Sequence, residues 1–481
     1  MLLSEVIGRD APAVDVTALA YDARAVTPGT LFFCVPGFTR DGHDFAAEAI
    51  ERGAVALVVQ RPLGLGVPEV VVEDVRAAMA PAAAALAGDP TARLTTIGIT
   101  GTSGKTTSAY LVRALLQAAG RQTGLLGTVT AIVGGEQRPA ARTTPEAIDL
   151  QRTFAEMLAA GDDAVVMEVS SHALALHRAD AIHWTVAAFT NLTQDHLDFH
   201  ADMEDYYAAK RRLFESDPEM AVINVDDPYG ARLARDFPAA IRIGVDAADA
   251  QVRAVDLAGD ASGSSFTVDG MALRTALPGR FNVLNALGAV TIARGLGVDD
   301  ATIERALPRA GRAPGRFEPV DEGQPFAVFV DYSHKPDALE AVLRTARDLT
   351  GGDGRLIVVF GAGGDRDRGK RPLMGRAAAT VADVAIVTSD NPRSEDPEAI
   401  IDEVARGASE ARGRAAVERI VDRREAIERA VALAGDGDVV VVAGKGHERY
   451  QEFEHGRTVP FDDVAVAREA LRRGAAAPGR R

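Results

Sequence analysis

The sequence predicts an α/β protein of three consecutive domains, the central one built on a mostly parallel sheet. Three observations lead there. The chain has 481 residues, which at roughly 150 residues per domain makes room for about three. Hydrophobic residues make up 47% and charged residues 25%, enough apolar material for real cores, which excludes disorder, collagen and coiled coil for the bulk of the chain. Beyond the first ninety or so residues, apolar runs of strand length alternate with helix-patterned segments. Such alternation lays parallel strands side by side under covering helices.

The first block, residues 1–90, holds apolar runs at 31–35 and 54–59 and then an Ala-rich helical stretch at 75–87. Pro81 is expected to kink that helix, because its ring removes a backbone donor, and Gly88-Asp89-Pro90 to end it. The second block, 91–314, opens with the apolar run 94–100, a Gly-rich turn and a helix from about 105 to 119. Further strands are expected at 164–169, 186–190 and 221–225, and the turn-prone Gly311, Pro314 and Gly315 close the block. The third block, 315–481, carries strands at 326–330, 356–360, 384–388 and 438–443, each followed by a polar or Gly-rich loop. Its tail from Gly474 is small and basic and is expected to fray.

Lys plus Arg number 53 against 69 Asp plus Glu, a net charge of −16. A chain this acidic is a poor general binder of nucleic acid or anionic membranes, so any phosphate it handles belongs in a local pocket. No apolar run reaches the roughly 18 residues of a membrane span, and the first residues lack the pattern of a secretory signal. Cys34 is the single cysteine, which excludes intrachain disulfides and multi-cysteine metal sites. A soluble cytoplasmic protein is expected.

The segment Gly98-Ile-Thr-Gly101-Thr102-Ser103-Gly104-Lys105-Thr106-Thr107 falls between a strand and a helix. Glycines there let backbone N–H groups turn toward a polyphosphate, and the helix N-terminus adds a favourable dipole. Lys105 would neutralise the β- and γ-phosphates and the Thr106 hydroxyl would ligate magnesium. Ile99 stands where the general pattern has its first glycine, so the loop is the tighter Gly101-to-Thr106 form. ATP or GTP binding follows; a switch, a kinase or a ligase would all use such a loop.

Glu168 lies at the carboxyl end of a strand beside this loop, where it is either a magnesium ligand or a solvated strand end. Ser170 and Ser171 lack the flanking glycines of a nucleophile elbow. His196 and His200 are spaced i, i+4, but Leu197 stands where a zinc protease needs Glu. His196 therefore reads as a ligand, a phosphate contact or a structural histidine, and Lys210 on pattern alone as a solvated helix lysine.

Taken together, Gly101-Thr-Ser-Gly-Lys-Thr-Thr, Met167-Glu-Val-Ser-Ser-His, Thr190-Asn-Leu-Thr-Gln-Asp-His-Leu-Asp-Phe-His, Ala208-Ala-Lys210, Phe281-Asn-Val-Leu-Asn285 and Val330-Asp-Tyr-Ser-His-Lys-Pro336 resemble the Mur ligases. The likeness is ordered and spans essentially the whole chain. It implies a UDP-binding N-terminal domain, a central ATPase domain and a C-terminal Rossmann-like domain for the incoming amino acid. The implied reaction phosphorylates a terminal carboxylate from ATP, and an amine then attacks the acyl phosphate to give an amide. The resemblance implies Lys105, Glu168, His196, Lys210 and Arg316 as the catalytic residues that supply or hold the cations this chemistry needs, with Mg2+ held by Thr106, Glu168, His196 and Lys210. Lys210 matches the lysine that takes up CO2 as a carbamate. Gly101 to Thr107, Asn282, Asn285, Arg316, Asp331 and His334 match the family's ATP contacts.

Within the family, the chain is similar to the members that add the third residue to UDP-N-acetylmuramoyl-L-alanyl-D-glutamate. Asp390-Asn391-Pro392-Arg393, an ordinary turn sequence by itself, matches the motif of those that add meso-2,6-diaminopimelate. Arg366 matches a second carboxylate-binding arginine, and Gly444 and Glu448 match positions for the distal ammonium; an arginine fork suits a carboxylate. For the UDP substrate the matches are Tyr21, Arg142, Thr143, Thr144, Ser170 and Arg178, while Ala23 and Leu176 stand where relatives carry Ser and Gln. A lysine-adding member, a folylpolyglutamate-synthase-like ligase and a P-loop switch are the competing readings. Small-molecule substrates and a monomer are expected, without nucleic acid or membrane insertion.

Overall fold

A computed structural model describes residues 1–140, 142–411, 413 and 415–476. Among the described residues the chain forms three α/β units, each centred on a sheet of parallel strands. The first sheet has four strands in chain order: Ala18–Ala20, Thr30–Phe33, Ala54–Val59 and Glu69–Val71. Helix Val75–Ala87 follows; it runs on as one element through Pro81, which sits on the exposed side, and stops at Gly88 with φ +74°.

The central sheet carries nine described strands. Its middle strand, Thr95–Thr100, pairs in parallel with Ala164–Glu168 on one side and Val186–Phe189 on the other. Chain order therefore reverses at this strand. In open α/β sheets the crevice at such a switch point is where ligands bind. Burial follows the period-2 geometry of a strand covered on both faces: Ile97, Ile99 and Val166 pack into one core, Val165 and Met167 into the other.

The third sheet has six strands, and five run parallel in the order Ala327–Asp331, Val439–Ala443, Leu356–Phe360, Val384–Val387, Ala416–Arg419. Loops 331–335, 361–369, 388–394 and 444–448 consequently leave from one edge. Two antiparallel additions carried no clear alternation in the sequence: the hairpin Thr130–Val133 with Glu136–Pro139, and a three-stranded sheet over 255–275. Residues 474–476 form the last turn of helix Asp463–Ala476; positions 477–481 of that tail lie outside the described residues. No described helix is long and apolar enough to cross a membrane.

Candidate active site

The turn between strand Thr95–Thr100 and helix Lys105–Ala118 needs its two glycines. Gly101 has φ +148° and Gly104 φ +85°, and a Cβ would run into Thr190 Oγ1 at the first and Asn285 Oδ1 at the second. The segment after strand Val186–Phe189 straps the loop down. Thr102 N donates to Asn191 O at 2.8 Å, Ser103 N to Asn191 Oδ1 at 2.9 Å, and Thr190 Oγ1 to Ser103 O at 2.7 Å. Lys105 Nζ folds back onto the carbonyls of Gly101 and Thr102, at 2.7 and 2.9 Å. Burial, and next the charge of Lys335, push its ammonium down to about 8.

Glu168 is 1% exposed. It accepts from Thr106 Oγ1 at 2.9 Å, Thr128 N at 2.8 Å and Thr128 Oγ1 at 3.0 Å. The solvated-strand-end alternative is thereby set aside. The Thr106 hydroxyl beside one well-held carboxylate is the small oxygen set that Mg2+ takes together with substrate phosphates, so the residues fit that ion.

Lys210 overturns the pattern-based reading of a solvated lysine: it is 1% exposed. Helix Met203–Glu215 turns Tyr206, Lys210, Leu213 and Phe214 inward on one face. There Lys210 Nζ donates to Gly101 O at 2.9 Å and lies 4.7 Å from the Tyr206 ring centroid. Burial, then the charges of Lys105 and Lys335, hold it well below the usual lysine range. His196, unlike Lys210, lines the cavity over the phosphate loop; its Nε2 lies 2.8 Å from Asp195 Oδ2 and its ring 4.8 Å from that of His172. Asp195 also pairs with Lys335 from the third unit. Burial opposes ionisation of Asp195, yet the His196 contact and the Lys335 charge hold its carboxyl well below the usual range. His200 is a buried structural histidine, its Nδ1 3.1 Å from Asp205.

A cavity of about 570 Å³ joins the central and third units over the phosphate loop. Arg316 crosses into it, with Nη2 3.3 Å from Thr106 Oγ1 and the guanidinium over the Tyr332 ring at 4.6 Å. Asn285 Nδ2 donates to Asn282 Oδ1 at 3.2 Å, and Asn285 Oδ1 accepts from Ser108 Oγ at 3.3 Å. His334 is held by Tyr332 O at 2.7 Å; burial, then Lys335 and Lys370, push its imidazole down to about 3, so it is neutral. Asp331 accepts from Phe317 N at 2.7 Å and Ser333 N at 2.8 Å, which ties the start of the third unit to its first parallel strand.

On the opposite wall, Glu146 collects three arginines: Arg178 at 2.9 Å, Arg142 at 3.1 Å and Arg76 at 3.4 Å. One carboxylate among three guanidiniums leaves a positive patch. Arg178 Nε is buried without a protein partner. Thr144 Oγ1 reaches Glu168 O at 2.8 Å and Ser170 Oγ at 3.3 Å, and Thr143 Oγ1 lies 3.0 Å from Thr128 Oγ1. The cavity brings Arg142, Thr143, Thr144, Ser170 and Arg178 together with the phosphate loop, but Tyr21, Ala23 and Leu176 do not line it. Tyr21 donates to Asp149 Oδ2 at 2.7 Å, joining the first and second units. Ala23, 5% exposed, packs among Ala20, Val26 and Phe32 in the core of the first.

The matched amino-acid residues cluster in the loops along one edge of the third sheet. Gly364 N donates to Asn391 O at 2.9 Å, and a Cβ at Gly364 would run into the Pro392 carbonyl. Arg393, at φ +51°, donates from Nη1 to Gly364 O and from Nε to Glu452 Oε2, both at 2.7 Å. Arg366 and Arg393 both approach Gly363. Gly444 has φ +121°, and a Cβ there would lie 2.9 Å from the Asp390 carboxylate. Glu448 accepts from Asn391 Nδ2 at 3.0 Å.

Sequence reasoning missed Thr128, Glu146, Asp195, Tyr332, Lys335 and Lys445. Asp195, Tyr332 and Lys335 lie inside the motifs quoted above and Lys445 directly follows the matched Gly444, so those segments carried a signal for them. Thr128 and Glu146 carried no local signal.

A phosphate loop at the floor of a cavity shared by two α/β units defines a nucleotide-using enzyme whose chemistry occurs between domains. Family models described as Mur ligase family, catalytic domain, Mur ligase middle domain, and Mur ligase, glutamate ligase domain match residues 15–88, 99–293 and 315–446. A curated relative from Geobacillus thermodenitrificans, UDP-N-acetylmuramoyl-L-alanyl-D-glutamate--2,6-diaminopimelate ligase, is 48% identical over 471 residues, covering 95% of each chain. Its namesake from Streptomyces coelicolor is 45% identical, covering 98% of this chain and 96% of its own. A solved structure bearing the same enzyme name superposes with a TM-score of 0.72 at 33% identity, covering 99% of this chain and 100% of that one. The folylpolyglutamate synthase of Mycobacterium tuberculosis shares the fold, with a TM-score of 0.62 at 21% identity, covering 84% of this chain and 96% of its own. The chain belongs to the Mur ligase family, and its fold is that of the family's ATP-dependent ligases.

Proposed function

We propose that the protein is the ATP-dependent ligase that joins meso-2,6-diaminopimelate to UDP-N-acetylmuramoyl-L-alanyl-D-glutamate in the synthesis of peptidoglycan precursors. The observation that carries this reading is the cavity in which the phosphate loop meets the Arg142–Thr144–Arg178 wall and Arg316, with the loop cluster of Arg393 and Glu448 on the adjoining sheet edge. The identities of 48% and 45% to relatives so named support it.

The residues divide the work by charge. The loop amides and Lys105 hold the β- and γ-phosphates of ATP, and Asn282, Asn285, Asp331 and His334 hold the rest of the nucleotide. Neutral His334, with its Nδ1–H given to Tyr332 O, offers Nε2 as an acceptor without adding charge. Arg142 and Arg178 hold the acidic UDP-linked substrate with its terminal carboxylate toward the γ-phosphate, helped by Thr143, Thr144 and Ser170, while Tyr21, Ala23 and Leu176 belong to its nucleotide end. A carboxylate oxygen forms a bond to the γ-phosphorus as the bond to ADP breaks. The amine of diaminopimelate then attacks the acyl carbon, losing a proton, and phosphate leaves. Arg316 neutralises charge on the transferring group.

Thr106, Glu168 and His196 would hold Mg2+, which when bound offsets phosphate charge and polarises the transferring group. Lys210, buried and biased toward its neutral amine, is suited to take up CO2 as a carbamate and so offer an anionic oxygen in place of a cation. Arg366 and Arg393 supply forks for the distal carboxylate, and Asp390, Asn391, Gly444 and Glu448 receive the distal ammonium. On this reading the enzyme works as a monomer in the cytoplasm, where its nucleotide-linked substrates are made. The test is phosphate release from ATP and magnesium with UDP-N-acetylmuramoyl-L-alanyl-D-glutamate, adding meso-diaminopimelate or L-lysine in parallel. Release that depends on diaminopimelate, with the UDP-tripeptide in the mass spectrum, is expected. Release with lysine alone would overturn the amino-acid assignment, and dependence on neither would overturn the ligase.

A further inference from the structure

The loop cluster of the third unit contains a lysine that no role above uses. Lys445 is 0% exposed, a costly place for an ammonium unless it is paired and hydrogen-bonded. Its Nζ lies 2.9 Å from Asn391 Oδ1, 2.9 Å from Glu448 Oε2 and 3.6 Å from Asp390 Oδ1. These partners come from loops after two strands, Val384–Val387 and Val439–Ala443, that are not neighbours: Leu356–Phe360 lies between them. The loop after that middle strand begins Gly361-Ala-Gly-Gly364. With almost no side chains there, Lys445 can span the gap.

Two consequences follow from this bridge. Asn391 Oδ1 is occupied by Lys445 Nζ and by Glu452 N at 3.0 Å, so its amide nitrogen is turned to Glu448 at 3.0 Å. The asparagine has one orientation only. Charge is set as well: Asp390 and Glu448 bring two negative charges and Lys445 one positive, leaving a net of one. The other buried cation beside Gly444, Arg423, is matched by buried Asp463 through a two-point contact at 2.8 and 2.7 Å, so its pull on Asp390 and Glu448, like that of Lys370 on Asp390, comes from outside the trio.

We propose that Lys445 is a positioning and specificity-determining residue of the amino-acid subsite: it aims Asn391 and Glu448 and leaves one unmatched negative charge, suited to a side-chain end that carries an ammonium and a carboxylate together. An end with an ammonium alone would be favoured by two unmatched acids. The inference rests on the proposed use of diaminopimelate, and its test separates the two. Wild type that fails to turn over diaminopimelate overturns the functional reading itself.

With an active wild type, Lys445→Met is measured for all three substrates. KM for diaminopimelate is expected to rise at least about tenfold, with KM for ATP and for the UDP-dipeptide within about twofold of wild type. The ratio of kcat/KM for diaminopimelate over lysine falls. Adding Asp390→Asn, which restores a net single charge, recovers part of that ratio. An unchanged KM for diaminopimelate, or a rise in all three KM values together as a merely structural role would give, overturns the inference. Should Lys445→Met fail to fold, Asp390→Asn with Lys445→Met is compared with Asp390→Asn alone: a higher KM for diaminopimelate in the double variant supports the role, and equal values overturn it.

Discussion

Replacing Thr128 by Val tests how the metal-facing carboxylate is aimed. Glu168 receives Thr106 Oγ1, Thr128 N and Thr128 Oγ1. A cation between Thr106 and Glu168 would take the place of the first contact, which leaves the two from Thr128 to orient the carboxylate. Valine keeps the shape and the backbone donor and removes one hydroxyl. A hydrogen bond to a charged acceptor contributes about 1.5–3 kcal/mol, or roughly 10- to 150-fold in an equilibrium constant. Loss of a group that orients a metal ligand costs a similar ~10- to 100-fold. The concentration of Mg2+ giving half-maximal phosphate release is therefore expected to rise by at least about tenfold, with the melting temperature lowered by about a few degrees for the lost hydrogen bond. Thr128 Oγ1 also touches Thr143 Oγ1, so Thr143→Val is the control: it should alter KM for the UDP-dipeptide and leave the Mg2+ titration in place. A Thr128→Val enzyme whose Mg2+ half-saturation and kcat both match wild type would refute the reasoning, because Glu168 would then need no such aim.

Other outcomes can be stated more briefly. Lys210→Ala should lose most activity and regain part of it with a small carboxylic acid, which replaces the anionic oxygen; failure of both would count against the carbamate. Arg393→Ala should lower kcat/KM for diaminopimelate by about 10- to 150-fold, the value of a lost charged hydrogen bond, with KM for ATP unaffected; an unaltered amino-acid preference would remove the specificity assignment. Lys105 sits at about 8 in the free protein, so at pH 8.5 only roughly a quarter of molecules carry that proton. Phosphates favour the charged form, and ATP binding at pH 8.5 should take up protons, an effect that fades below pH 7 where the lysine is already charged. Calorimetry in two buffers of different ionisation enthalpy reads the uptake, and proton release instead would contradict the lowered value.

Much of this protein is written in short stretches of chain. The strand at 95–100, the glycines at 101 and 104 and the helix behind them are local: a buried run, two positive φ angles and a helix start need only their own neighbours. The same is true of Leu356–Phe360 and Val439–Ala443 in the third unit, which are too apolar to lie anywhere but inside a sheet. The hairpin at 130–139 was hidden because its second strand, Glu136–Pro139, is exposed throughout and shows no alternation.

What only the tertiary structure decided is which loops meet. Strand order departs from chain order, so Glu168 faces Thr106 from a neighbouring strand 62 residues away, and Arg316 reaches Thr106 across 210 residues. Lys210 reads as a solvated helix lysine until the helix is packed; burial against Tyr206 and Gly101 O then reverses its character. Sequence patterns record what a residue needs from its neighbours along the chain. Desolvation and charge pairing depend on distances between segments, and those are set when the sheets and their helices close over their cores.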